Sequence, residues 1–365
     1  MQKNNRSILF LCPYPYGVAP SQRFRFEQYV STLQSHGYSV TIHPFLTLTG
    51  WNILYTPGNL PRKVLAIVTG FARRFALLLR AVPAADQVFI HREATPLGPP
   101  VVEFIIARIL RKKIIYDFDD AIWLPNTSEA NWFAARVKWH SKVKSICRWS
   151  RVISVGNGYL ENFARSFSKR VVINPTTVDT ELVHNPQLHK RQMDPKVVTL
   201  GWTGSHSTLG YLKGIEPVLV ELEKKHSSKI RFLVIADRRP LLDIQNVDFV
   251  PWSKDQEIKD LLKIDIGIMP LADDAWSKGK CGLKALQYMA LNIPTVASPV
   301  GVNPSIIDHA VNGYLCDTLE SWIAHLDKLV LDAALRKKLG EAGRQKVLSS
   351  YSVESNRSNF LSLFE

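Results

Sequence analysis

Short apolar runs alternate with helix-length segments along this chain, and they do so in two blocks. In the first block ILFLC (8–12), SVTIHPF (39–45), QVFIHRE (87–93), KIIYDFDD (113–120), RVISVG (151–156) and VVINP (171–175) read as strands. Helical segments separate most of them, among them VVEFIIARILR and a stretch from Glu129 to Trp149. The second block restarts at VVTLGW (197–202) and runs through KIRFLVIAD, VDFVPW, IDIGIMPL, PTVAS and YLC, with helices expected at 318–330 and 332–349. Strand–helix alternation of this kind demands parallel sheets covered on both faces. Between Asn174 and Pro195 the pattern lapses into a Pro-, Asn- and polar-rich stretch, the best candidate for a linker. The expected organisation is therefore two doubly wound α/β domains, 1–180 and 181–350, with a tail at 351–365 that packs back toward the first domain. In such sheets ligands bind beyond the carboxyl ends of the strands, and a cleft between the domains is expected to hold the site.

Charge divides the same way. Residues 1–180 carry 23 Lys+Arg against 10 Asp+Glu, a net of +13, whereas residues 181–365 carry 23 against 22. A basic first half implies an anionic neighbour: nucleic acid, an acidic membrane surface or a phosphorylated ligand. The most apolar window, residues 63–82, has Arg73 and Arg74 at its middle, so it is a poor spanning helix. Wound as a helix it places Arg62, Arg73 and Arg80 on one stripe, with Lys63 and Arg74 beside it and Val64, Val68, Phe71, Phe75, Leu78 and Leu79 mostly on the other side. Two readings follow. One is a membrane-surface element; the other, taken as the default, is an ordinary helix whose apolar face packs on its own domain. The four cysteines lie far apart and form no C-x-x-C pair, so no structural zinc site or disulfide framework is expected. MQKNNRSILFLCPYP has too short an apolar segment for a signal peptide, and the expected setting is cytoplasmic.

The densest candidate chemistry lies in GKCGLKALQYMALNIPTVASPVGV, residues 279–302. Read as one helix, Lys280, Lys284 and Gln287 at i, i+4 and i+7 share a stripe, and Gly279 and Gly282 let the backbone approach a ligand. A helix start with two lysines suits a dianion such as a diphosphate, and Gln287 is placed to reach a sugar hydroxyl. In the first block Asp117, Asp119 and Asp120 cluster at a strand end, His91 ends another strand, and Arg23 and Arg25 begin the helix expected from Ser21 to about residue 35. A D-x-D pattern is a metal-diphosphate motif in some transferases; Asp119 and Asp120 suit equally the orientation of an acceptor hydroxyl or the capping of the next helix. No Ser-His-Asp or Cys-His set is visible.

The segment MPLADDAWSKGKCGLKALQYMALNIPTVASPVGVN resembles the signature region of GT-B glycosyltransferases of the large retaining family 4, whose members often read K-x-x-E-Y-M-A-x-G-x-P-V-V. Lys284 and Gln287 fall on the lysine and the second glutamate of that pattern, and Gly279 falls on an earlier glutamate, so both acidic positions are replaced. SILFLCPYPYGVAPSQRFRFEQYVSTLQSHGYSV is similar to the first strand, glycine loop and first helix of these enzymes, and GWTGSHSTLGYL to the first strand-turn of their nucleotide domain. The resemblance implies a GT-B fold of two Rossmann-like domains, and a sugar transfer from a nucleoside diphosphate sugar, UDP or GDP, with retention and no bound metal. It implies donor contacts at Gly17, Gly204, Ser205, Trp252, Lys280, Gly282, Lys284 and Gln287. It sets His91 where family members have a histidine near the reaction centre, the default for a strand-end histidine being structural; Asp119 and Asp120 are catalytic candidates by their own place at a strand end. Arg23 and Arg25 would meet acceptor or phosphate. The basic first half then suits a lipid-linked or polysaccharide acceptor, as in bacterial surface-polysaccharide or glycolipid assembly, at the inner face of the cytoplasmic membrane. Two other readings stand beside it: a nucleotide-sugar-binding protein of the same fold without catalysis, and a basic nucleic-acid-binding protein. The last lacks any aromatic–basic or zinc signature, so no nucleic acid partner is expected.

Overall fold

Parallel strands build both halves of the chain. The computed structural model describes residues 6–56, 58–125, 138–191 and 196–365. They fall into two units, Met1–Pro175 together with Arg357–Glu365, and Thr176–Asn356. In the first unit β1 (Ser7–Cys12), β2 (Ser39–Pro44), β3 (Gln87–His91), β4 (Lys113–Phe118), β5 (Val152–Val155) and β6 (Val171–Ile173) form a sheet in the order β2-β1-β3-β4-β5-β6. Every pairing is parallel. The central strands β3 and β5 are buried along their whole length, as a sheet covered on both faces requires. The last residues of the chain seal this core. Phe360 stacks on Tyr29 with ring centroids 4.2 Å apart, Phe364 stacks on Phe89 at 6.0 Å, and the Gln87 side-chain amide donates to the Phe364 carbonyl at 2.8 Å.

Two helical expectations in this unit change. The segment after β1 is not one helix capped by Ser21. It is a turn of helix at Pro20–Arg23 with Pro20 in its first turn, a 3₁₀ turn at Glu27–Tyr29 and a helix at Val30–Ser35. The helix Leu60–Leu79 is rotated from the default reading: Leu78 is buried and Phe71 half-buried as expected, but the rest of the apolar side is not. Its buried side is Gly70, Arg74 and Leu78, while Leu60, Val64, Leu65, Val68, Phe75 and Leu79 are exposed. Arg74 is the cause. Its guanidinium is 1% exposed and donates to the carbonyls of Ala94, His43 and Cys12, each at 2.7 Å. Gly70 lets the helix come down on Phe45, whose ring would lie 2.6 Å from any Cβ there. Of the helix expected over 129–149, Lys142–Trp149 is observed; residues 126–137 lie outside the described set.

The second unit's sheet contains β7 (Val198–Thr203), β8 (Ile230–Ala236), β9 (Val247–Pro251), β10 (Ile266–Met269), β11 (Thr295–Ala297) and β12 (Gly313–Leu315). The order is β12-β11-β10-β7-β8-β9, all parallel. The order in which strands are added therefore reverses between β7 and β10, and the crevice beyond the ends of those two strands is the place where such sheets take ligands. The final helices Leu319–Leu331 and Ala333–Ser350 begin where side chains cap them, Thr318 and Asp332 accepting from Ser321 and Leu335.

Tyr288, from the helix Leu283–Ala290, locks that helix to the sheet. Its hydroxyl accepts the Thr203 N–H at 2.9 Å, and its ring lies where a Cβ on Gly267 would come within 2.4 Å. Gly267→Ala therefore forces a fully buried aromatic to move, and overpacking of this kind costs about 1–3 kcal/mol. The urea midpoint of Gly267→Ala should fall accordingly, while Gly210→Ala, with nothing within 4 Å of the added carbon, should leave it in place.

Candidate functional site

In the second unit the groups at the β7–β10 reversal come from three turns. After β7, Gly204 donates its N–H to Ile235 at 3.0 Å, and a Cβ at Gly204 would meet the Trp202 ring at 2.4 Å. Ser205 then caps the 3₁₀ turn His206–Thr208 in a reciprocal capping box with Thr208. After β8, Asp237 accepts from the His206 N–H at 2.6 Å and pairs with His206 Nδ1 at 2.5 Å. This exposed His–Asp pair was not singled out in the sequence, although both residues sit directly after strand ends, where ligand-facing groups are expected. After β10, Asp274 caps the short helix Ala275–Lys278 by accepting from Ser277 at 2.6 Å, and Ser277 Oγ donates to the Tyr211 hydroxyl at 2.9 Å.

The lysine stripe is not one helix. The helix starts at Leu283, so Lys280 lies in the turn before it and only Lys284 lies in its first turn. Gly282 makes the break: its φ is +72° and a Cβ there would meet Ile306 at 2.2 Å, so both conformation and space call for glycine. Lys280 Nζ sits 5.1 Å from the Trp276 ring centroid, and Lys284 Nζ sits 4.8 Å from that of Trp202. An indole face holds an ammonium without cancelling its charge, and each lysine has such a ring beside the helix start. Gln287 is 4% exposed, with its amide 3.4 Å from His184 Nε2, rather than on the open stripe that the spacing implied. Trp252 follows β9, donates from Nε1 to Glu257 at 3.3 Å and packs against the cluster of Leu233, Ile235 and Leu261.

In the first unit the predicted residues divide into two polar clusters. The first is buried. Arg25, 1% exposed, pairs with Asp117 and donates to Ser154 and to the Asn174 carbonyl, so it is not presented to a phosphate as expected. Asp117 also accepts from Ser154 Oγ at 2.6 Å and lies 2.8 Å from His91 Nδ1. His91 is wholly buried, and its Nε2 has no hydrogen-bond partner among the described residues. Burial alone would raise the Asp117 carboxyl, but the charge of Arg25 and the contact with His91 bring it well below the usual carboxylate range. The second cluster splits the D-x-D pattern. Arg92, in the left-handed region at φ +58°, forks onto Asp119 at 2.7 Å and Asp120 at 2.6 Å, so these two face a different arginine from Asp117. No group of three or more His, Cys, Asp or Glu suited to a metal occurs among the described residues.

The glycine loop after β1 is also already engaged. Gly17, at φ +77°, donates its N–H to Glu27 Oε2 at 2.8 Å, and Gln22 ties the loop by bonds to Tyr14 in both directions and to Glu27 Oε1 at 3.0 Å. Arg23 is half-buried with its guanidinium 5.0 Å from the Phe24 ring centroid. Gln22 and Glu27 are framework residues that sequence spacing did not reveal.

Asp117→Asn removes one partner of a buried pair and leaves the Arg25 charge without its counter-ion. Such losses cost about 3–5 kcal/mol, which urea unfolding should register. The pH sign follows from the lowered Asp117 value. Its contribution is present above the unfolded carboxyl value of about 3.9 and is lost as pH falls through the still lower folded value. Acid unfolding of the native chain should therefore steepen below about pH 4, and Asp117→Asn should flatten that limb.

Comparison with known proteins agrees with this geometry. Residues 240–346, which contain the Gly282 turn and both lysines, match the family described as Glycosyl transferases group 1. Spore coat protein SA of Bacillus subtilis (strain 168) is 25% identical over 185 residues, covering 49% of this chain and 43% of that protein. The chain thus spans less than half the length of this curated relative. Sucrose-phosphate synthase from Thermosynechococcus elongatus superimposes with a TM-score of 0.67 at 14% identity, covering 98% of both chains. Anabaena Alr3699/HepE, solved in complex with UDP and glucose, gives 0.63 at 14% identity over 98% of this chain and 99% of that one. The fold is that of the GT-B glycosyltransferases. Within it, residues 240–346 are the part that matches the glycosyl transferases group 1 family.

Proposed function

We propose that the chain is a glycosyltransferase that moves a sugar from a nucleoside diphosphate sugar to an acceptor hydroxyl, with retention and without a bound metal. The observation that carries this reading is the helix start at Gly282, flanked by Lys280 and Lys284, beyond the reversal point of the second sheet and inside the group 1 region. Breaking the bond to the donor sugar leaves negative charge on the departing diphosphate. Helix N–H groups, the positive end of the helix dipole and two ammonium groups stabilise that charge as it develops. UDP is the first donor nucleotide to test, since it is bound in Alr3699/HepE. An acceptor that is lipid-linked or a polysaccharide, in surface-polysaccharide or glycolipid assembly, agrees with the basic first half.

Calorimetric titration of UDP and GDP against the native chain and Lys284→Ala tests the site. A charge-assisted bond contributes about 1.5–3 kcal/mol, so Lys284→Ala should weaken nucleotide binding about 10- to 150-fold. An unchanged dissociation constant removes the diphosphate from this helix. Sugar transfer should survive EDTA; activity lost in EDTA and restored by Mg²⁺ or Mn²⁺ overturns the metal-free reading.

One observation favours a second reading, a nucleotide-sugar-binding protein without catalysis. Gly279, which aligns with the first glutamate of the family 4 pattern, ends the helix Ala275–Lys278 and offers no side chain to a donor sugar. Single-turnover mixing with labelled UDP-sugars separates the two: transfer to acceptor or to water supports the enzyme, and binding without turnover the alternative.

A further inference from the structure

The Leu60–Leu79 helix presents to solvent the side that a globular domain normally hides. At 100° per residue, Val64, Leu65, Val68, Phe75 and Leu79 fall within an arc of about 100°, and all five are exposed, Leu79 at 82% and Leu65 at 61%. Arg62, Arg73 and Arg80, also exposed, line one margin of that arc. Residues 60–80 contain no Asp or Glu. The apolar side continues past Phe75 into a hollow of about 310 Å³ lined by Phe71, Leu97, Val101 and Val102. Exposed Phe104 and Ile109 follow on the next helical segment, with Arg108 and Arg111 beside them.

We infer that this face docks on an anionic lipid surface, with the apolar arc entering the headgroup–acyl boundary and the arginines meeting lipid phosphates. An exposed apolar stripe with cations at its edge is the form of a helix lying in the plane of a membrane interface. Arginine stems are long enough to let the guanidinium reach the headgroups while the apolar arc sinks. Spanning is excluded for this helix, since no helix among the described residues is long and apolar enough to cross a membrane. A second copy of the chain fits the face poorly. In a two-fold dimer the patch meets itself, which would bring Arg62, Arg73 and Arg80 against their own copies with no acid on the helix to separate them. An anionic surface satisfies the apolar arc and the cations together.

The full chain is sedimented with vesicles of equimolar phosphatidylglycerol and phosphatidylcholine, and with vesicles of phosphatidylcholine alone, at low and high salt. The native chain should bind the anionic vesicles and release as salt rises. Arg73→Glu, at an exposed position, should weaken binding about 30-fold, two charge steps at the surface. Val68→Asp should weaken it about tenfold or more. Melting curves of both variants should match the native chain, because neither side chain is buried. The inference is overturned by no binding to anionic vesicles, by equal binding to neutral ones, or by binding that both substitutions leave unchanged. It is overturned as well by a dimer in sedimentation velocity that Val68→Asp disperses. Vesicle binding requires no nucleotide, so this outcome is independent of the donor titrations.

Discussion

Arg74 decides how the first unit meets its surroundings. A guanidinium cannot lose its proton to escape burial, so a buried arginine must find acceptors or stay in water. Arg74 finds three main-chain carbonyls: Cys12 at the end of β1, His43 near the end of β2, and Ala94 in the turn after β3. Burial pulls its value down only to about 10, so it stays charged at neutral pH. These bonds tie three loop starts to one helix, and they set the rotation of that helix. With Arg74 inward and Gly70 against Phe45, Val68 and Leu79 have nowhere to go but outward. A hydrophobic face is left in solvent because a polar side chain holds the inner position more firmly than valine or leucine would.

The second unit solves a different problem, how to hold cations beside a helix start. The indoles of Trp276 and Trp202 lie against Lys280 and Lys284 and attract each ammonium through a ring quadrupole. Trp202 in turn depends on Gly204, the residue whose missing Cβ makes room for the ring. The helix itself is held by the Tyr288 hydroxyl on the Thr203 N–H and by the space left at Gly267. Strand, turn and helix are thus coupled through two aromatic side chains and two glycines, and the electrostatic arrangement at Gly282 is only as firm as those contacts.

The strand–helix alternation was legible because parallel strands buried on both faces are dominated by apolar residues, as ILFLC and the VFI of QVFIH are. The helices expected at 318–330 and 332–349 are found at Leu319–Leu331 and Ala333–Ser350, each begun by a side-chain cap, at Thr318 and Asp332. What failed were inferences that assumed an unbroken helix or a hydrophobic inner face. Lys280 looked aligned with Lys284 because spacing takes no account of a left-handed glycine at 282, and Gln287, in the same helix as Lys284, looked open because spacing does not show His184 beside it. Arg25 and Arg74 looked like surface cations because their partners, Asp117 and the strand-end carbonyls, are 92 and up to 62 residues away. The His206–Asp237 pair, 31 residues apart, escaped for the same reason.

Long-range pairing also sharpens the electrostatics that composition only hinted at. In the first unit Asp117 is spent on Arg25, Asp119 and Asp120 on Arg92, and Glu93 on Lys142 at 2.7 Å. Glu27 and Glu103 are buried and bonded to main-chain N–H groups of Gly17 and Ala94. These acids lie inward, where they organise loops, while Asp86 stays exposed together with Arg62, Arg73, Arg80, Arg108, Arg111 and Lys113. The field outside the unit is therefore more uniformly positive than a net count conveys, since the compensating charges lie behind protein rather than beside the cations. Fixed positive charge next to an apolar face that the fold itself keeps open is a combination set by the inward acids and by Arg74 together.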